Sequence, residues 1–365
     1  MDLTTLTASE AAAAIKGGAV TAAELAKALI AEAQAAQSIN ALVGFDADTF
    51  LEQAEEADQI KTEGARLGPL HGVPVVIKDN IDVAGFATTA ATPALAGNLA
   101  RRDAPVTRAL RDAGAVIMAK TNMHELAFSP GITKPEDGGE TIYGAHGAAR
   151  NPYDEERSPA GSSTGTAAAI GARIAPAGLG TDTGGSVRNP AAWCGIDGFR
   201  PSMGRYSQSG VVPLSWTRDT PGPMARSVAD LALLDGIISG EDGLLPVHLK
   251  GLRLGVERDY FCTDADAGIL AVFDEEMRRL ADAGAEIIDV SIPGLEEAVA
   301  GIGPHIAMYE VVRALPRYLA EAGTGVAIDT LIDEIAASGL GPVLNGLRGA
   351  KAISEDDYRI TDRKS

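Results

Sequence analysis

Hydrophobic and polar positions along this chain fall into helical stretches that give way, at glycines, to short runs of branched apolar residues. The first sixty residues read as helices. Thr7-Ala8-Ser9-Glu10 opens an Ala-rich turn set that Gly17-Gly18 breaks, Thr21-Ala22-Ala23-Glu24 forms a capping box for Leu25 to Ala36, and a third helix runs from Asp46 to about Lys61. After the breakers Gly68-Pro69 and His71-Gly72, the run Val73-Pro74-Val75-Val76-Ile77 predicts a buried strand that stops at Lys78-Asp79-Asn80. A charged residue therefore stands where a buried strand ends.

The same unit recurs downstream. Asp103 to Ala113 reads as a helix closed by Gly114, followed by the strand Ala115 to Ala119 and then Lys120; Leu280 to Ala283 turns on Gly284 into a strand through Ile287. These units are irregularly spaced, so they indicate α/β construction and not a solenoid. Ser129 to Pro159 is loop-like. A Gly/Ser-rich stretch, Gly161 to Thr166, leads into a helix through Ala175, and a short strand near Ala177 to Leu179 ends in a second such stretch, Gly180 to Ser186. Ser227 caps a helix reaching Ser239, Leu252 to Val256 is a strand, and Pro304 to Ala322 is a further helix. With no linker in sight, a single domain over residues 1–365 is expected: a helical segment (1–65), a core (66–240) and a C-terminal part (241–365).

Composition narrows the function classes. The formal net charge is −19, which repels phosphate backbones and anionic lipid surfaces, so nucleic acid and membrane are poor partners. No stretch approaches the ~18 unbroken apolar residues of a membrane span. Two cysteines, Cys194 and Cys262, build neither a disulfide framework nor a thiolate zinc site, and Met1-Asp2-Leu3-Thr4-Thr5 lacks the basic and apolar regions of a leader. A soluble cytoplasmic protein is the expectation.

The densest polar cluster is Gly161-Ser162-Ser163-Thr164-Gly165, with Gly184-Gly185-Ser186-Val187-Arg188 following. Glycine-flanked serines in tight turns let backbone N–H groups converge beside a hydroxyl, as acyl transfer requires. A serine nucleophile needs a base. None of His71, His124, His146, His248 and His305 has a setting that singles it out, and each reads as a surface or satisfied loop residue. Lysine is the other option: burial at a strand end would favour the neutral amine, which makes Lys78 a candidate and Lys120, similarly placed, its competitor.

Val76-Ile77-Lys78-Asp79-Asn80, Gly161 to Thr166 and Gly180 to Pro190, in that order, resemble the motifs of the amidase signature family, and the likeness continues through Trp193-Cys194-Gly195, Gly198-Phe199-Arg200-Pro201, Gly204-Arg205 and Asp219-Thr220-Pro221-Gly222-Pro223. It covers roughly residues 1–240 and is nearest the indoleacetamide and mandelamide hydrolase type. The resemblance implies a mixed β-sheet covered by helices and a Ser–cis-Ser–Lys triad, with Ser186 as nucleophile, Ser162 as bridging serine after a cis peptide from Gly161, and Lys78 as base. It implies an oxyanion hole from the amides of Thr183, Gly184, Gly185 and Ser186, with Ser163, Asp182 and Arg188 in support. The partner implied is a small amide such as an aryl-acetamide, hydrolysed through an acyl-enzyme, with no metal or organic cofactor; a homodimer is compatible with it.

The sequence departs from the family pattern in places. Ala160 and Thr164 stand where glycines are usual, Gly131 to Gly147 looks long, and the chain ends at Ser365, earlier than family members do. The helix that Ser354-Glu355-Asp356-Asp357 would cap has only Tyr358 to Ser365 to continue it, so the C-terminal part reads as incomplete and the chain as a weak or inactive hydrolase unless completed. A catalytically dead binding protein on the same fold and a carbamoyl-compound hydrolase of the allophanate or carboxybiuret type are the alternatives. The glutaminyl-tRNA amidotransferase A subunit is disfavoured by the Asp219 to Pro223 segment. A nucleophile elbow at Ser163 is disfavoured too, since the polar, Pro-interrupted stretch 151–159 precedes it in place of a buried strand. A P-loop is excluded because no Gly-Lys-Ser/Thr follows the glycines.

Overall fold

The computed structural model describes residues 2–128, 143–241, 247–349 and 351–362. Of the long segment expected at Gly131 to Gly147, and of the loop from Ser129, everything up to residue 142 lies outside the described residues. Two compact units are present, one formed by Met1–Gly243 with Ala307–Ile353, the other by Leu244–Ile306 with Ser354–Ser365.

In the larger unit the N-terminal helices form where their caps predict. Ala8–Gly17 and Ala22–Ala35 both begin at complete capping boxes, Thr7 with Glu10 and Thr21 with Glu24, and Ala47–Thr62 begins at Asp46. Carboxylates from distant segments reinforce two of these ends. Asp230 accepts from the amides of Ala8 and Ser9 at 3.1 and 2.8 Å, and Asp58 from Ala22 and Ala23 at 2.8 and 2.9 Å.

Six strands make the central sheet: β1 (Leu42–Val43), β2 (Pro74–Lys78), β3 (Val116–Thr121), β4 (Ala177–Asp182), β5 (Asp197–Gly198) and β6 (Thr220–Ala225), in the order β1-β3-β2-β4-β6-β5. The central β3, β2 and β4 run parallel and the others antiparallel. Every residue of β2, β3, β4 and β6 is buried, as expected of a sheet covered on both faces. Two charged residues, Lys78 and Asp182, close β2 and β4, so the carboxyl ends of adjacent parallel strands carry charge into one place, the usual position of a site in such sheets.

Two elements differ from the sequence reading. β6 contains Pro221 and Pro223, and prolines argue against an inner strand. It forms because Pro223 turns its carbonyl toward the amide of Phe199 at 3.0 Å. Its missing N–H therefore also faces the two-residue edge strand β5, and not the six-residue ladder with β4. The helix expected from Pro304 runs instead over Leu295–Glu321, opened by Glu296 and Glu297 in its first turn.

Apolar residues Ala90, Leu95, Met123 and Phe128, in the loops beyond β2 and β3, share a second core cluster with Val311, Leu315, Leu331, Leu340 and Leu344. Two buried acids tie these segments together. Glu310 accepts from the Ser215 hydroxyl at 2.6 Å and the Thr217 hydroxyl at 2.9 Å, and Glu125 from the amides of Ala336 and Ala337 at 3.0 and 2.5 Å. In the smaller unit, β7 (Arg253–Val256) pairs in parallel with β8 (Glu286–Asp289), the helix Ala267–Asp282 lying between them in sequence. The helix foreseen after Ser354 spans Glu355–Asp362. No helix among the described residues is long and apolar enough to cross a membrane.

Asp230 is wholly buried and holds two helix-terminal amides. Asp230→Ala is expected to destabilise the larger unit by about 2–3 kcal/mol. Both tryptophans, Trp193 and Trp216, lie in that unit, so a denaturant titration followed by their fluorescence reads the change; an unaltered midpoint would contradict the role given to this carboxylate.

Candidate active site

The site grows from the end of β2. Lys78 is completely buried, and its Nζ lies 2.8 Å from Ser162 Oγ and 2.8 Å from Thr181 Oγ1. Burial lowers the amine to about 7, against the opposing pull of the Asp182 and Asp219 charges. Asn80 Nδ2 donates to the same Thr181 hydroxyl at 3.1 Å.

Lys120 is equally buried but takes no part in this cluster. Its Nζ lies 3.4 Å from Asp79 Oδ1, 3.2 Å from Thr88 Oγ1 and 3.1 Å from the Ala87 carbonyl. The register explains the difference. Lys78 is paired with Thr121 and Lys120 with Ile77, and residues one step apart along a strand point to opposite faces of the sheet. Thr121 accordingly shares the Lys78 face and meets Thr166 of the helix Thr164–Gly171 at 2.7 Å.

Ser162 and Ser163 lie in the turn before that helix, wholly buried. The Gly161–Ser162 peptide is cis, in agreement with the resemblance, and Ala160 before it sits at φ +57°, a left-handed conformation that suits the glycine usual there. Gly161 is required by close approach: a Cβ on it would fall 2.3 Å from His124 Cε1. Nothing in the sequence sets His124 apart from the other four histidines. It is instead buried against this turn, its amide donating to the Ser162 carbonyl at 3.2 Å and its ring stacked on Tyr143 at 4.7 Å between centroids. Burial, and then the nearby Lys78 charge, bring its imidazole down to about 4. It also lines a cavity of about 310 Å³ with Tyr143, Arg150, Arg157 and Thr164.

The second Gly/Ser stretch wraps around Asp182. This buried carboxylate accepts from the Gly185 amide at 2.8 Å, the Val187 amide at 3.2 Å, Arg188 Nε and Nη2 at 3.1 Å each, and Arg200 Nη1 at 2.9 Å. Burial pushes its pKa up, but these donors outweigh burial and bring it to about 2. Gly185 adopts φ +113°, open to glycine alone, which lets its amide turn back onto Asp182.

Of the four amides named from sequence for an oxyanion hole, that of Gly185 is thus already engaged. Those of Thr183, Gly184 and Ser186 give no hydrogen bond to the described residues. Ser186 is brought beside the first serine pair through its carbonyl, which accepts from the Ser163 amide at 3.2 Å, while Ser163 Oγ lies 3.2 Å from the Thr181 carbonyl. The Ser186 hydroxyl itself makes no hydrogen bond among the described residues.

Sequence reasoning left three contributors without a role. Thr181 anchors Lys78, Arg200 reaches Asp182, and Asp219 accepts from the Thr183 hydroxyl and from the amides of Leu214 and Ser215 at 2.8 Å each. Burial raises Asp219 to about 6, its hydroxyl and amide donors holding it from going further. Among the described residues, no group of three or more His, Cys, Asp or Glu could hold a metal ion.

Comparison with known proteins agrees with this architecture. The chain is 40% identical to indoleacetamide hydrolase of Agrobacterium vitis over 338 residues, covering 92% of this chain and 70% of that protein. It is also 40% identical to mandelamide hydrolase of Pseudomonas putida, covering 91% of this chain and 64% of that one. The solved peptide amidase from Stenotrophomonas maltophilia superposes with a TM-score of 0.85 at 29% identity, over 98% of this chain and 78% of its own. A serine and lysine cluster at the carboxyl ends of parallel strands, a family model for amidases matching residues 24–364, and relatives of this closeness together establish that the chain belongs to the amidase signature family, hydrolases of amide bonds.

Proposed function

We propose that the chain hydrolyses a small amide, such as an aryl-acetamide of the kind named for its relatives, through an acyl-enzyme on Ser186, with Ser162 as proton bridge and Lys78 as base. The observation that carries this reading is the 2.8 Å contact between Lys78 Nζ and Ser162 Oγ in a site where both side chains are wholly buried. With an amine near 7, a large fraction is neutral at physiological pH and can take a proton. Thr181 supports the assignment: its hydroxyl oxygen receives hydrogens from both Asn80 and Lys78, so the lone pair of the neutral amine is left for the Ser162 O–H.

In the proposed cycle Ser186 Oγ bonds to the amide carbon as its proton moves to Ser162 Oγ and the Ser162 proton moves to Lys78. The carbonyl oxygen becomes an oxyanion, facing the amides of Thr183, Gly184 and Ser186, with Gly185 engaged by Asp182 and so shaping the loop. Collapse breaks the carbon–nitrogen bond while the proton returns along the same path to the leaving nitrogen, releasing ammonia or amine. Water then attacks the ester by the same relay and frees the acid. The open hydroxyl of Ser186 is compatible with this, since catalytic hydrogen bonds often close only when substrate is present.

Covalent labelling tests the nucleophile. A fluorophosphonate is expected to modify Ser186, as located by mass spectrometry, and Ser186→Ala to abolish both labelling and ammonia release; an adduct on Ser162 or Ser163 would overturn the assignment. Lys78→Ala is expected to lower turnover by about 10²–10⁴. Lys120→Ala should instead cost about 3–5 kcal/mol of stability by stranding buried Asp79.

The pH dependence has a definite sign. Because the working base is the neutral amine, kcat/KM should rise with pH through about 7 and level off above it. Asp219 raises the Lys78 pKa, so Asp219→Asn should move this acid limb to lower pH. A limb that stays near an ordinary lysine value, or one that moves upward in the variant, would rule out Lys78 as the base.

A further inference from the structure

A cavity of about 560 Å³ opens in the larger unit between the segment that follows β2 and the end of the helix Leu295–Glu321. Among the described residues that line it, none belongs to the cluster of Lys78, Ser162, Asp182 and Ser186. One carboxylate stands in its wall. The Asp82 main chain is fully engaged, its amide donating to the Gly210 carbonyl at 2.8 Å and its carbonyl accepting from the Ala104 amide and the Thr107 hydroxyl at 3.0 Å each. Its side-chain Oδ1 is nonetheless buried with no hydrogen-bond partner.

The buried cation whose charge reaches Asp82 is Lys120, and its amine is already occupied by Asp79 Oδ1, Thr88 Oγ1 and the Ala87 carbonyl. Burial accordingly raises the Asp82 pKa, with the Thr88 hydroxyl and then the Lys120 charge opposing it. A buried acceptor left without a donor is an unfavourable arrangement in the free protein. Access to it is kept open. Gly210 adopts φ +73°, and a Cβ there would come within 3.3 Å of Asp82 Oδ2. The facing side is held by Asn98, whose Nδ2 donates to the Tyr318 hydroxyl at 3.3 Å.

The remaining charges of the lining are of two kinds. Asp103 and Glu321 are paired, with Arg111 at 2.9 Å and with Arg317 at 2.6 Å. Arg101 and Arg102 are exposed, and their guanidinium groups make no ion pair or hydrogen bond with the described residues. The bond from the Ala104 amide to the Asp82 carbonyl ties their segment to the carboxylate, and the Arg102 charge acts on Asp82 without closing into an ion pair. The cavity thus combines one unsatisfied acceptor in its wall with two unpaired cations on its surface. A simple amine suits the acceptor but is repelled by the arginines, and a simple acid is repelled by Asp82. We infer that this cavity binds a small zwitterion, an α-amino acid, with its ammonium on Asp82 and its carboxylate on Arg101 and Arg102. The small apolar residues Ala100, Ala104 and Ala322 leave room for its side chain. This site is separate from the catalytic one and does not depend on the Ser186 reading.

Calorimetry on the full chain at low salt and neutral pH tests it, with leucine, methionine and phenylalanine as probes. Each is compared with its amino alcohol, which lacks the carboxylate, and with its deaminated acid, which lacks the ammonium; none of these carries an amide that the chain could cleave. At least one amino acid is expected to bind about 10–100-fold more tightly than both of its counterparts, the range of a charge-assisted hydrogen bond. Asp82→Asn should erase the preference over the deaminated acid, and Arg101→Ser with Arg102→Ser the preference over the amino alcohol. The two arginines are exposed and unpaired, so that variant should melt as the parent does and keeps the test open should Asp82→Asn fold poorly. Ser186→Ala should bind the amino acid as the parent does. Undetectable binding of all three amino acids, equal affinity for the counterparts, or a preference that survives both substitutions overturns the proposal. So does an affinity lost in Ser186→Ala and kept in Asp82→Asn, which would place the ligand in the catalytic site.

Discussion

A lysine amine sealed inside the fold at the end of β2 is the constraint around which the neighbouring loops are arranged. Buried without a counterion, Lys78 holds its proton weakly; beside a bare carboxylate it would hold it firmly. Two carboxylates do lie close enough to act on it, Asp182 and Asp219. The structure weakens their pull in different ways. Asp182 is saturated by the Arg188 and Arg200 side chains and three backbone amides, so its charge is largely cancelled where it stands. Asp219 is raised to about 6 by burial, so its own ionisation is already unfavourable. The amine near 7 is the balance of these terms, and the conformation of the 182–188 loop follows from the saturation of Asp182.

That loop shows how one carboxylate serves two ends. Drawing the Gly185 amide inward to Asp182 requires the positive φ of Gly185, and the reversal leaves the Thr183, Gly184 and Ser186 amides outside the internal hydrogen-bond network. Preorganised donors of this sort stabilise developing charge without reorganising. The same economy recurs elsewhere in this acidic chain. Asp230 and Asp58 close helix ends, Glu125 holds residues 336 and 337, and Glu310 holds 215 and 217. Buried Asp230, Glu125 and Asp219 thus bind backbone amides, whereas arginines pair with buried Asp182 and Asp235.

Local rules explain what the sequence made legible. Both capping boxes, the strand ending at Lys78, the strand ending near Lys120 and the helix after Ser227 rest on neighbours a few residues apart, and all are present. The order of the Gly/Ser motifs identified the family, and the resemblance pointed to Lys78 and Ser162, which the structure brings into contact. What escaped depends on distant partners. β6 violates strand composition and exists because β4 supplies a ladder on the side its prolines do not face. The choice between Lys78 and Lys120 is decided by register, since a one-residue offset sends the two chains to opposite faces of the sheet. Arg200 and Asp219 fall in motifs of the resemblance, but nothing near them, or near His124, shows what they touch; their contacts are with Gly161 (His124), Asp182 (Arg200) and Thr183 (Asp219), each 18 or more residues away.

The opposite shifts of Asp182 and Asp219 also divide the pH scale. Asp182 is depressed to about 2 from its ordinary 3.8, so its contribution to stability is present above that ordinary value and is lost as pH falls toward 2. Asp219 and Lys78 act the other way. With Asp219 raised to about 6 and Lys78 lowered to about 7, the folded state favours the neutral form of each. Ionising Asp219 therefore weakens the fold as pH rises from its ordinary carboxylate value to about 6, whereas the Lys78 penalty is relieved as pH rises from about 7 toward 10.5. Between those two regions both groups are near their crossing points, and protonating Lys78 or deprotonating Asp219 each makes the other change easier by Coulomb attraction. Acid therefore charges Lys78 before it releases the loop: the amine is protonated below about 7, while the Asp182 clasp that shapes the 182–188 turn remains ionised to far lower pH.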